Sequence, residues 1–411
     1  MARTPEERRQ RLGITYLFIG LAMLAGALLI SRLPDPREVP PHPAAAFSGT
    51  PASVLVNPFH LHVDPMERLL LVNLERDPDA VYTGFEPQAF DDEVHGTGLI
   101  VIGWRHDGRV DVFHQPQVRL DPDTYDITGD GLHLMLERAM TDSHFSIGPS
   151  GVDADIHFED AEGRTVELRV EERHPRPPTR IGLLAPMGEA ASTPSALPLV
   201  LMRDFSFVRL AHSEVRVAID ARVHELDLLP VPLDLRRVYF IRYADEPLIA
   251  TFNPAHSGPL TPHVPEFGNV VRDRDVELRL VQLGSHTAIA DMERAHGDQA
   301  VRVSFEPPFP NPLDLAPGAE LSGRFVITSD PSVGRVAGEY ELRLDGSTVH
   351  ATLVPSEGWR PRERRWPLLL MYRLSPVFRS WPSSYVWEAQ MDVSDPDDPT
   401  MQASWSRIEE D

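Results

Sequence analysis

Apolar and polar residues alternate in short runs along most of this chain, and that rhythm predicts strands. The stretches GLIVIGWR (98–105), RVDVFHQ (109–115), GLHLMLE (131–137), TVELRVE (165–171), EVRVAID (214–220), RVYFIRY (237–243), DVELRLV (275–281) and GRFVITS (323–329) recur through the body, most of them bounded by Asp, Gly, Pro or Asn. Between such runs RHDGRV, EDAEGRT and RLDGST place Asp-Gly or Glu-Gly, the chemistry of tight hairpin turns. Forty prolines argue against long helices. The expected fold class is all-β, with one or two short helices.

One stretch breaks the rhythm. Ile14–Ile30 runs without a charge, behind Arg3, Arg8, Arg9 and Arg11. About 17 to 25 apolar residues span a bilayer as helix, and flanking arginines keep their side in the cytoplasm. The expectation is a single-pass inner-membrane anchor over 14–31, a cytoplasmic N-terminus at 1–13 and an extracytoplasmic, periplasmic body. A cleaved signal peptide is the rival, since Ala25-Gly26-Ala27 has the small-x-small form; the apolar run continues past it through Leu28-Leu29-Ile30, which favours the uncleaved anchor.

Proline and small residues divide the remainder. A Pro-rich spacer is expected over 32–53, a first β domain over 54–255, a second over 268–391 and an acidic tail over 392–411. The stretch 145–177 can be laid against 325–361, each with a strand, a turn glycine (Gly163, Gly346), x-Thr-Val and another strand, which supports two related barrel or sandwich modules. That outline is similar to tandem lipocalin-like proteins, including the carotenoid-hydratase type, in architecture alone; their histidine-rich signature is missing here.

Composition closes several chemistries. There is no cysteine, hence no disulfide, zinc-thiolate, iron-sulfur or thiol nucleophile. There is no lysine either, so all 39 basic residues are arginine. Schiff bases, Ser-Lys pairs and the phosphate-loop G-K-[ST] are thereby excluded. A net charge of −23 argues against a nucleic-acid partner, since the sole basic run is RPRERR at 360–365. No G-x-S-x-G or H-E-x-x-H is present.

Histidine and carboxylate clusters remain. FHLHVDPME places His60, His62 and Asp64 at alternate positions, on one face if the stretch is a strand, and a divalent metal is the cofactor such a face would hold; its plainer reading is a polar outer face. QAFDDEVHGTG collects Asp91, Asp92, Glu93 and His95, with His106 and His114 on the following runs, the residue types of general acid–base catalysis or of an exposed turn. Aromatics such as Phe205, Phe207, Phe240, Tyr243 and Trp387 are candidates for the wall of an apolar cavity or for plain core. DITGDGLHLMLE (126–137) approaches a calcium-loop template, yet Pro116 and Pro122 precede it and Leu132, Leu134 and Leu136 alternate after it, so a turn feeding a half-buried strand is expected. Two functions follow as expectations: a non-catalytic envelope protein holding an apolar or lipid-like ligand, or partnering another envelope protein, and an envelope hydrolase or hydratase working through the carboxylate and histidine cluster.

Overall fold

A strand buries one side chain in two, so a sheet needs a covered face, and here three large sheets cover one another. The computed structural model describes residues 39–127, 130–186, 194–229, 232–233, 236–265, 269–363, 365–375, 378 and 381–408. The expected membrane anchor at 14–31 lies outside the described residues. Among those described, no helix is long and apolar enough to cross a membrane. The body is nearly all β, with a short helix at Trp366–Leu374, in agreement with the strand rhythm.

The central sheet is built on long bent strands. Leu61–Pro65 and Arg68–Asn73 continue one another along Leu248–Phe252 and Val238–Asp245, which together pair with Leu197–Arg209. Ile181–Ala185 pairs with Leu197–Arg209, and on the far side come Tyr82–Asp92, Gly96–Arg105, Val110–His114 and, in parallel, Leu132–Glu137. That last stretch is a strand, as expected, and no helix leaving a calcium loop, but its leucines do not share one half-buried face: Leu132 and Leu136 are half-buried while Leu134 is exposed; Thr128 and Gly129 of the motif lie outside the described residues.

A five-stranded sheet, ordered Arg222–Val223, Ser213–Ile219, Thr165–Glu172, Gly151–Glu159 and His144–Gly148, covers one face of the central sheet. Leu70, Val72, Phe85, Val101 and Phe113 meet Phe158, Val166, Leu168, Val170 and Val217 there. Between these layers Glu172 is buried, accepting from Arg209 Nε (2.9 Å), Tyr243 Oη (2.9 Å) and the Val152 amide (3.3 Å). Gly151, at φ +124°, makes room for it; a Cβ there would stand 2.0 Å from Glu172 Oε2. Asp160 and Arg164, which resemble a surface ion pair in sequence, are likewise a buried joint, with Asp160 at 0% exposure and Arg164 bridging to Asp79 at 3.0 Å.

The third sheet is a meander from Val270–Asp273 through Tyr385–Asp392 to Thr400–Arg407 and His256–Pro259. Arg335–Asp345 shows its logic: Val336, Tyr340, Leu342 and Leu344 are buried while Glu339, Glu341 and Arg343 are exposed. The stretches with the turn glycines Gly163 and Gly346 both form hairpins with those glycines at positive φ. The meander shares a core with the central sheet, where Phe59 stacks on Phe305 at 4.8 Å and Trp405 Nε1 donates to the Phe252 carbonyl at 3.0 Å. Among the described residues both ten-stranded sheets run between end strands with no closing pair, so they are stacked open sheets rather than barrels.

The expected spacer, the proline-rich stretch between the two expected domains and the expected tail are all built into these sheets. From the spacer, His42 Nε2 bonds the Tyr340 hydroxyl (3.1 Å), Ala46 is buried, and the Ala52 amide donates to Asp314 Oδ1 (2.6 Å). The proline-rich connection at 253–269 carries His256–Pro259, paired with Thr400–Arg407, and Pro262–His263, paired with Leu55–Val56. The expected tail at 392–411 holds Thr400–Arg407, whose Met401, Ala403 and Trp405 are buried. Composition misleads here because an edge strand tolerates proline and an alternating strand is half charged.

Replacing Arg209 with Leu leaves the buried Glu172 carboxyl without its partner between two sheets, and is expected to lower the unfolding free energy by roughly 3–5 kcal/mol in urea titrations. The double variant Arg209→Met with Glu172→Gln is expected to recover most of that loss.

Candidate functional site

Alternation along four strands sends polar and apolar side chains into one hollow. Leu61–Pro65 contributes His62 and Asp64, Tyr82–Asp92 contributes Gln88 and Phe90, Gly96–Arg105 contributes Ile102, and Leu248–Phe252 contributes Ile249 and Thr251. The loop 119–125 and residues 195–196 complete a cavity of about 580 Å³.

The hairpin beside it is shaped by Asp92. Its Oδ1 accepts the amides of Val94 (2.8 Å) and His95 (2.7 Å), an Asx turn that leaves Oδ2 facing the His95 ring. Gly96 follows at φ +81°, where a Cβ would meet the Gln117 carbonyl at 2.6 Å. His95 is thus clamped: Nδ1 lies 2.9 Å from Asp92 Oδ2 and Nε2 lies 3.2 Å from Asp64 Oδ1. The Phe90 ring packs 4.5 Å from the imidazole. The Asp64 hydrogen bond, opposed by burial and reinforced by Asp92, raises the imidazole to about 9. Burial alone would raise Asp92, but hydrogen bonds from the His95 backbone and ring outweigh it and hold the carboxyl below its ordinary range.

Behind the cavity stands a second polar group. Glu86 is buried, accepting from Gln88 Nε2 (2.9 Å) and Trp104 Nε1 (3.2 Å), and burial raises its carboxyl above the usual range. Burial lowers the Arg242 guanidinium, against the opposing pull of Glu86. Tyr125, on the turn Pro122–Ile127, is 9% exposed; burial first, then Asp64 and Glu86, push its phenol up.

The structure therefore joins part of each sequence cluster. His62, Asp64 and His95 share the cavity lining, with Asp92 directly behind His95. His60 does not join them: its Nδ1 meets Arg274 Nη1 at 3.0 Å and its ring stacks on His256, while burial, then Arg274 and His256, lower it to about 4. Its amide bonds the Asn253 side chain, so the chain at position 60 has already left the ladder of Leu61–Pro65. Among the described residues no three histidine or carboxylate groups are arranged to hold a metal ion. Asp91 is turned to Thr97 (2.7 Å), and the Glu93 carbonyl accepts from Arg119.

His106 and His114 do not line the cavity. His106 bonds the Asp79 carbonyl (2.8 Å) just past the far end of Gly96–Arg105, which puts it roughly 30 Å from His95 at strand rise. His114, half-buried, has Nδ1 3.1 Å from the Gln115 carbonyl. Phe205, Phe207, Tyr243 and Trp387 are buried core. Sequence reasoning missed Gln88, Arg119, Asp121 and Tyr125; the signal for Gln88 was a strand, YTGFEPQAFDD, that places Glu, Gln and Phe on one face.

The histidine clamp has a pH signature. Its folded pKa of about 9 lies above the ordinary value near 6.5, so its stabilisation is complete below about pH 6.5 and fades as pH rises through 9. Thermal melts from pH 6 to 10 are expected to fall across that window for the parent chain, and His95→Gln is expected to flatten the fall while melting lower at pH 6. Comparison with protein-family models, with curated proteins and with solved structures finds no match, so the site is interpreted from its own geometry.

Proposed function

We propose that this chain is a small-molecule-binding protein of the bacterial envelope, held at the inner membrane by Ile14–Ile30, whose cavity takes an apolar or lipid-like ligand. The cavity carries the reading. Its volume of about 580 Å³ falls inside the range of roughly 300–1,000 Å³ typical of small-ligand sites. Phe90, Ile102, Leu120, Ala196 and Ile249 supply apolar lining, and Asp64, Gln88 and Tyr125 stand among them as polar groups. The charge-free segment at 14–30 behind four arginines supports the location.

A hydrolase or hydratase using the same cluster is less well supported. A general base needs a ring nitrogen free to accept a proton near neutral pH. Both nitrogens of His95 face carboxylates, and its proton is held to about pH 9. His95 is better suited to fixing the hairpin against the strand Leu61–Pro65 than to moving protons.

Ile249→Trp tests the proposal, because the indole would fill the hollow from a partly exposed strand. The full chain in phosphatidylcholine nanodiscs is expected to bind a fluorescent fatty alcohol saturably above the empty-disc blank. The variant is expected to bind it at least about tenfold more weakly, a loss near 1.4 kcal/mol, with an unchanged melting temperature. Equal binding by parent and variant would remove the cavity as the site.

A further inference from the structure

We infer that the polar groups of this cavity receive a cationic headgroup, so that the ligand is an amphiphilic amine or quaternary ammonium rather than a fatty acid or a phosphate ester. The inference rests on the binding role proposed above and narrows its ligand class.

The first observation is the balance of charge in the lining. Asp64, Asp121 and Asp123 line the cavity with His62, His95 and Arg119, and of these Asp121, Asp123 and His62 are exposed. His95 and Arg119 are already engaged. His95 directs one nitrogen at Asp64 and the other at Asp92, and Arg119 directs Nε at the Val94 carbonyl (3.0 Å) and Nη2 at the Glu93 carbonyl. An anionic headgroup entering here would lose water and meet carboxylates, a repulsion that grows as the effective dielectric falls. An ammonium group meets Asp121 and Asp123 as counter-charges, Asp64 being already turned to His95.

The second observation is independent of charge. Tyr125 lines the cavity at 9% exposure, and its hydroxyl has no hydrogen-bond partner among the described residues. The hydroxyl opens into the hollow, where a ligand acceptor or donor can take it up in place of water. Gln88, at 4% exposure, spends its amide nitrogen on Glu86 and leaves its carbonyl oxygen for a donor. The rings of Tyr125 and Phe90 add faces of the kind that attract alkylammonium groups. Acceptors and ring faces beside two engaged cations describe a site for a donor-bearing or positively charged group.

Equilibrium dialysis of the full chain in phosphatidylcholine nanodiscs, against empty discs, compares three probes sharing an eight-carbon chain: octyltrimethylammonium, octanol and octanoate. The ammonium is expected to bind saturably, one per chain, and at least about tenfold more tightly than octanoate, with octanol between them. Asp121→Asn with Asp123→Asn is expected to cut ammonium affinity about fivefold or more without changing octanol binding, since two ion contacts are lost. The chain carries a net charge of −23 and will attract any cation weakly, but that pair of changes removes little of it, and Ile249→Trp removes none.

Octanoate or octanol binding as tightly as the ammonium overturns the headgroup inference and leaves the cavity reading in place. Ammonium binding that survives Ile249→Trp is surface attraction and also overturns it. Absence of saturable binding by all three probes brings down both the inference and the binding role beneath it.

Discussion

The central sheet is covered on both faces, and a sheet without a solvent face must find a partner for every polar side chain it carries. Tyr82–Asp92 makes the constraint visible, because its residues from Gly84 to Phe90 are all buried and include Glu86 and Gln88. Leaving such groups unpaired costs more than any one of them contributes, so the sheet is organised by pairing. Glu172 with Arg209 and Tyr243, and Asp111 with Tyr82 (3.0 Å), Arg105 (2.8 Å) and His133 (2.6 Å), are solutions of that kind on the face toward the five-stranded sheet.

On the opposite face the pairing is incomplete, and the cavity lies there. Gln88 and Trp104 satisfy Glu86, while Asp92 and Asp64 satisfy His95. Tyr125 has no partner in the described chain. The lining thus combines a rigid frame with a few unspent polar atoms, which is the composition of a pre-formed small-ligand site. His95 belongs to the frame: it ties the hairpin after Tyr82–Asp92 to the strand Leu61–Pro65, so the two walls of the cavity stay in register.

The junction of the central sheet with the third sheet follows from packing of the same strictness. Gly182 sits so close to the loop after Glu320–Thr328 that a Cβ would stand 2.1 Å from the Ser332 carbonyl. Phe59, Phe252, Phe305 and Phe309 close the shared core. The segments richest in proline are pinned at this junction because their few free amides find fixed acceptors: the Ala52 amide donates to Asp314, and the Asn253 amide to the His60 carbonyl.

How much of this could be read beforehand depended on range. The alternation of Leu132, Leu134 and Leu136 identified a strand and dismissed the calcium loop, because side-chain period is a property of neighbouring residues. The Asp92–His95 pair was legible for the same reason, since an Asx turn spans three residues. His62 and Asp64 were correctly set on one face, but their meeting with His95 was invisible, as was the departure of His60 toward Arg274. Tyr125 gave no local sign of standing over the same hollow. By itself, the order of residues determined the all-β class, the turns and the exclusion of lysine and cysteine chemistry, all of which are local or compositional. Which polar groups were buried together, which linkers became strands and where an unfilled space remained were decided by the stacking of sheets, because those depend on contacts between residues far apart in the chain.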